Sequence, residues 1–185
     1  MIKQATTRQR GFTLVELMVA LLVAAISISI AVPSYKRIVT GNQLSSAANT
    51  FVSLLTEARM ESIKRSHSTQ FCGGSSSLDG AGTLGTACNG KNGAVNTLVS
   101  DSSGNPTAQQ VRDAYLNTAS LTITVSTGLV FRAQGLAYQA TSTTAPYTGT
   151  VVTICTQAIS SNNERKVQMV AGGNVTTTTR TVGSC

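Results

Sequence analysis

RQRGFTLVELMVALLVAAISISIAVP, Arg8 to Pro33, decides how this chain is built. It has the ingredients of a secretory signal in an order that does not suit removal. Such a signal runs basic, then apolar, then small residues at a cleavage site beyond the apolar stretch. Here Ala31-Val32-Pro33-Ser34 makes a poor cleavage site, and the only break in character falls before the apolar run, at Gly11-Phe12. From Phe12 to Val32 there are 21 residues and one charge, Glu16. That length lets a helix cross a bilayer. Ile26-Ser27-Ile28-Ser29-Ile30 alternates like a strand, but only a helix satisfies its own backbone in lipid. Pro33 then permits a kink or a local break.

Lys3, Arg8 and Arg10 stand just before the run, so the positive-inside rule keeps the N-terminus cytoplasmic and sends the rest outward. Glu16 is the oddity. A carboxylate within a membrane helix costs about 2.5–3.5 kcal/mol on insertion scales, which marks a functional position unless it lies near enough the interface to snorkel. Cleavage between Gly11 and Phe12 would create a cationic α-amino group one helical turn before Glu16, or at the same depth on a neighbouring subunit. Pairing acid with amine between subunits would set their register.

Outward from this stretch, 185 residues suit one domain plus an appendage. Only 11% of residues are charged, against roughly 25% in ordinary soluble domains. Ser, Thr, Asn, Gln and Gly supply the polarity, which fits an exported, loop-rich β domain better than a cytosolic enzyme. The formal charge is +7, but three of these charges precede the apolar run. The remainder is too mild to argue a partner. Cys72, Cys88, Cys155 and Cys185 have no C-x-x-C spacing, and the single His67 has no histidine partner, so no zinc site is expected. Two disulfides in an oxidising compartment fit better, with free thiols as the alternative. Three pairings exist; Cys72–Cys88, closing a Gly/Ser loop, and Cys155–Cys185, pinning the C-terminus, are favoured.

Leu44, Ala48, Phe51, Leu55, Ala58 and Ser62 recur at steps of three and four, predicting an amphipathic helix that packs its own domain. Asn49, Ser53, Glu57, Glu61 and Lys64 form its solvated face, with the two glutamates able to pair with Arg59, Lys64 or Arg65. Around Lys64-Arg65-Ser66 the helix should yield to strands: 67–72, 121–125, 128–131 bent into 135–138, 150–156, 166–170 and 175–180. Gly172-Gly173-Asn174 reads as a hairpin turn. The stretch from Cys72 to Gly93 reads as a long loop, and Val111 to Leu116 as a short helical turn.

Catalytic signals are weak. Gly85 to Asn92 resembles a phosphate-binding loop, but Asn92 stands where Ser or Thr should meet magnesium, and no strand precedes it. His67 beside Ser66 and Ser68 lacks a third group. Asp79, Asp101 and Asp113 lie in separate loops without calcium-loop spacing. The expectation is no enzyme, no cofactor and no metal.

Gly11-Phe12-Thr13-Leu14-Val15-Glu16, a short basic leader, the apolar run and Pro33 together resemble the class III signal of type IV pilins and type II secretion pseudopilins. The resemblance implies that prepilin peptidase cuts after Gly11 and N-methylates Phe12. It also implies that the helix is kept as anchor and later as filament core, with Glu16 pairing charges during assembly. The head, "GLVFRAQGLAYQ…TVVTICTQ…RKVQMVAGGNVTTTT", is similar to H-type pseudopilins and to minor pilins of the FimU/FimT kind. Phe131 and Gly135 match a Phe-x-x-x-Gly turn, and Gly173 a glycine between two long strands.

The implied fold is α+β: a cleaved leader over 1–11, a membrane and filament-core helix over 12–33, an amphipathic continuation over 34–66, and an antiparallel β head over 67–185. The expected role is a structural minor pilin in the inner membrane with a periplasmic head. It would assemble with other minor pilins and the major pilin, prime a type IV pilus, and sit at or near its tip. Two alternatives stay open. One is the H-type pseudopilin of a type II secretion system. The other is DNA capture through Arg165, Lys166 and Arg180, although Gly173 is followed by Asn174, Val175 and four threonines rather than the Gly-Arg-x-Arg pattern of DNA-binding relatives.

Overall fold

The computed structural model describes residues 11–115 and 120–185, apart from the side chain of Thr143. Its first element is α1, Leu14–Arg65, unbroken through Pro33. Thr13 starts it: the Glu16 backbone N–H donates to Thr13 Oγ1 at 3.2 Å. That satisfies one of the donors every helix leaves orphaned at its start. The Ser27 and Ser29 hydroxyls turn back onto the carbonyls of Val23 (2.8 Å) and Ile26 (2.7 Å). Two polar side chains are thereby accommodated in an apolar helix, and the alternating Ile-Ser run is helical.

The chain divides into two compact units, residues 1–39 and 40–185. In the first, the described residues are exposed throughout the apolar stretch. In the second, the expected stripe of α1 is fully buried, joined by Ala47 and Leu54. Lys64 and Arg65 occupy the last turn, where cations oppose the helix dipole. Ser66, at φ 54°, ends the helix in the left-handed region.

β1 (Thr69–Phe71) is followed by two short helices, α2 (Ser76–Asp79) and α3 (Thr83–Cys88), within the expected long loop. Then come β2 (Val95–Ser100), β3 (Pro106–Arg112), β4 (Thr122–Val125), β5 (Leu129–Phe131), β6 (Ala137–Gln139), β7 (Ser142–Pro146), β8 (Gly149–Cys155), β9 (Glu164–Val170) and β10 (Asn174–Arg180). The strands form two antiparallel sheets, ordered β3-β2-β1-β5-β6-β7 and β10-β9-β8-β4. One core joins the α1 stripe to Phe71, Val95, Leu129 and Phe131 of the first sheet and to Val151, Val152, Ile154, Val167 and Met169 of the second. At its centre Phe51 meets Phe71 edge-on, with centroids 6.3 Å apart, and Tyr115 at 4.8 Å. A register shift between Thr150 and Val152 lets two successive valines, 151 and 152, both face inward.

Five features differ from the sequence expectation. β2, β3 and β7 were not anticipated, and Val111-Arg112 end a strand instead of starting a helical turn; Leu116 lies outside the described residues. β2 hides its pattern because Asn96 and Thr97 are buried. Their polarity is met by neighbours: Thr69 Oγ1 donates to Thr97 Oγ1 at 2.9 Å, and Asn96 Nδ2 reaches Cys72 Sγ at 3.2 Å. Glu61 pairs locally, with Arg65 at 2.6 Å and Lys64 at 3.7 Å, but Glu57 instead reaches Arg112 at the end of β3, 2.7 Å away.

Candidate functional site

The N-terminal site is built from one helix start. Gly11 and Phe12 precede α1, Thr13 caps it, and Glu16 lies in its first turn. This Thr-x-x-Glu spacing is a capping-box signature, legible in the sequence. Glu16 therefore has a local role as well: a carboxylate in the first turn opposes the helix dipole. Phe12 is 81% exposed, and Leu14, Val15, Leu17, Met18, Leu21, Leu22 and Ile26 after it are more than half exposed. Among the described residues, α1 is the one helix long and apolar enough to cross a membrane. Among the described residues this apolar surface has no partner; a surface of this length calls for lipid or other helices.

In the head, two glycines of the resemblance meet. Gly135 (φ 74°) and Gly173 (φ 77°) both need the left-handed backbone that glycine supplies without strain. A Cβ on Gly173 would sit 3.1 Å from the Gly135 carbonyl oxygen, and one on Gly135 would meet Ile63 of α1 at 2.7 Å. Arg59 joins helix to hairpin, donating from Nη1 to the Gly173 carbonyl at 2.9 Å. Sequence reading placed Arg59 only as a surface partner for glutamates. Nothing local signals a bond across 114 positions.

Cys72 is bonded to Cys88, with Cα atoms 5.2 Å apart, and closes the loop that holds α2 and α3. Cys155 and Cys185 are also paired, at a Cα separation of 5.8 Å. Asn163 secures the same tail: its Nδ2 donates to the Val182 carbonyl at 2.9 Å, and its Oδ1 accepts from the Val182 N–H at 2.8 Å. Inside the first loop Asp79 is buried. Its Oδ1 accepts the Gly73 N–H at 2.5 Å and Gln70 Nε2 at 3.3 Å, while Oδ2 is buried without a partner. Burial raises its carboxyl above the ordinary value, outweighing the hydrogen bonds from Gly73 and Gln70 that act to lower it. The Arg65 hydrogen bond does the reverse for Glu61, holding it below its ordinary value.

The remaining candidates disperse. His67 is exposed. Lys91, the would-be phosphate lysine, donates to Gln110 Oε1 at 2.9 Å. Asp101 accepts the N–H groups of Ser103 and Asn105 in a turn, each at 2.8 Å, and Asp113 accepts from Gln110. Among the described residues no three His, Cys, Asp or Glu side chains stand close enough to share a metal. Arg165, Lys166 and Arg180 are not gathered into one patch. Lys166 and Arg180 lie opposite Thr178 and Glu164 on one sheet face, whereas Arg165, opposite Thr179, faces the other way. Arg165 also spends Nη1 on the carbonyls of Asn162 and Glu164, at 2.8 and 3.1 Å.

Comparison with known families agrees with this division. Residues 6–32 match the prokaryotic N-terminal methylation motif, and residues 47–173 match the type II transport protein GspH. No curated protein and no solved structure gives a significant match. The second match spans the helix stripe and most of the head. An exposed apolar helix segment that lies within a methylation motif, joined to a two-sheet head of this type, places the chain in the GspH family of type IV pilin-like proteins, structural subunits marked by a prepilin signal.

Proposed function

We propose that this protein is a minor pilin that joins other minor pilins in a complex priming a type IV pilus, and that it sits at or near the pilus tip. The observation that carries the reading is the exposed apolar half of α1, which lies within the methylation-motif match over residues 6–32. Prepilin peptidase cuts after Gly11 and methylates the new amine of Phe12. The retained helix holds the subunit in the inner membrane, N-terminus cytoplasmic and head periplasmic, until it moves into the filament. There the Phe12 amine and Glu16 of adjacent subunits pair, fixing their register. The head contributes lateral contacts and no catalysis.

The family match itself favours a second reading, the H-type pseudopilin of a type II secretion system, since the matching model describes a type II transport protein. One deletion strain separates the two. Sheared surface pili should vanish without this gene and return when the retraction motor is also removed. Unchanged pili in both backgrounds, with secreted enzymes trapped in the periplasm, would replace the first reading by the second. DNA capture has less support, because its three cations do not share a face. Binding of the head to duplex DNA that weakens steeply with salt would revive it.

A further inference from the structure

The four sheet edges of the head are not treated alike. β3 opens on Pro106 and its pairing with β2 shifts register near Val95, β7 closes on Pro146 beside another shift, and β4 is only four residues long. Prolines, bulges and shortness are the devices that keep an edge strand from pairing with another chain. β10 has none of them. It is seven residues long, pairs with β9 in unbroken register from Asn174 to Arg180, and is exposed at every position except the half-buried Val175. Its centre is four threonines, β-branched residues suited to a pleated surface, and no charge interrupts it before Arg180. The tail beyond it turns back to Asn162, Asn163 and Cys155 instead of lying along its outer side.

Charge tells what this edge accepts. The sheet carries Arg165, Lys166 and Arg180 against one acid, Glu164, which Lys166 engages at 3.7 Å. Among the described residues no carboxylate lies within 4 Å of Arg180. A second copy of this chain cannot answer that cation with an edge strand, because β3, β4, β7 and β10 contain no Asp or Glu. We propose that the outer edge of β10 docks an extended, acid-bearing strand from a different pilin-type subunit, adding a fifth strand to this sheet with a carboxylate beside Arg180. Main-chain hydrogen bonds supply the affinity of such an addition, and the charge supplies the choice of partner. The proposal rests on the filament role given above.

The test is hydrogen exchange of the full mature chain, in detergent micelles and in filaments sheared from cells. In micelles the outward-pointing half of the β10 amides should exchange at nearly unprotected rates. In filaments the same amides should slow by about a hundredfold or more, and Arg180→Glu should reduce both that protection and the amount incorporated. Incorporation with β10 still fast overturns the docking edge and leaves the filament role standing. Failure of the wild-type chain to enter any filament overturns that role, and the edge proposal with it. Protection that appears in micelles as concentration rises makes a second copy the occupant and also overturns the proposal.

Discussion

Glu16 has a local role at the start of α1 and a proposed one in assembly. Its backbone N–H meets the Thr13 cap, and its carboxylate lies in the helix's first turn, where negative charge is favoured. Neither contact needs a second subunit, so anchoring should survive its loss while assembly should not. Glu16→Leu is expected to leave the protein in the membrane fraction but to cut filament incorporation by about tenfold, roughly 1.4 kcal/mol of lost coupling. Immunoblots of membranes and sheared filaments measure both, and normal incorporation would refute the charge pairing. Asp79 is the opposite case, a carboxylate whose burial is local and costly. Its raised value means the folded head holds that proton more tightly than the unfolded chain. Its contribution to stability is therefore fully present below the unfolded value of 3.8 and declines as pH rises through the higher folded value. Asp79→Asn retains an acceptor for the Gly73 N–H and removes the charge. Urea unfolding of residues 40–185 should show the variant gaining on wild type as pH climbs from about 4 towards neutrality; a difference constant with pH would show that Asp79 does not titrate in this way.

At the scale of elements, α1 is one helix with two kinds of surface. The apolar run needs no pattern, because every side of it is exposed. The second half needs a stripe, and the stripe read from the sequence is the one buried. Phe51 anchors it against Phe71 and Tyr115, so Phe51→Ala should cost the head about 3–5 kcal/mol through lost burial and a cavity. Ser53→Ala, two residues away on the exposed face, should stay within about 0.5 kcal/mol. Equal effects in chemical unfolding would mean that α1 is not packed as described. The strands divide by the same logic. β8 and β9 bury apolar residues and were legible; β3 is exposed, polar Pro-Thr-Ala-Gln-Gln-Val-Arg, and its place depends on pairing with β2.

For the whole molecule, two covalent links tie down the loop that holds α2 and α3 and the C-terminal tail. Cys72–Cys88 spans 16 residues and Cys155–Cys185 spans 30. By the chain-entropy relation each is worth about 3–4 kcal/mol, so full reduction should shift the head far towards unfolding. Peptide mapping without reductant should recover those two cross-linked pairs, and four reactive thiols in the native protein would exclude them. The glycine turns at 135 and 173 are tied by Arg59 rather than by a bridge.

Composition, the Gly11-Phe12 to Glu16 motif and two hydrophobic periods determined by themselves a long N-terminal helix, apolar in its first half, followed by a β head. Such signals are local: a membrane span, a helix stripe and a buried strand each write their environment into neighbouring residues. Tertiary structure alone decided what depends on distant partners. It allotted strands to two sheets, buried the polar Asn96 and Thr97 of β2, and carried Glu57 to Arg112 and Arg59 to Gly173. The reason is physical. A polar or exposed residue carries no periodic imprint of its surroundings, so its role is fixed only when the fold brings its partner within a few ångströms.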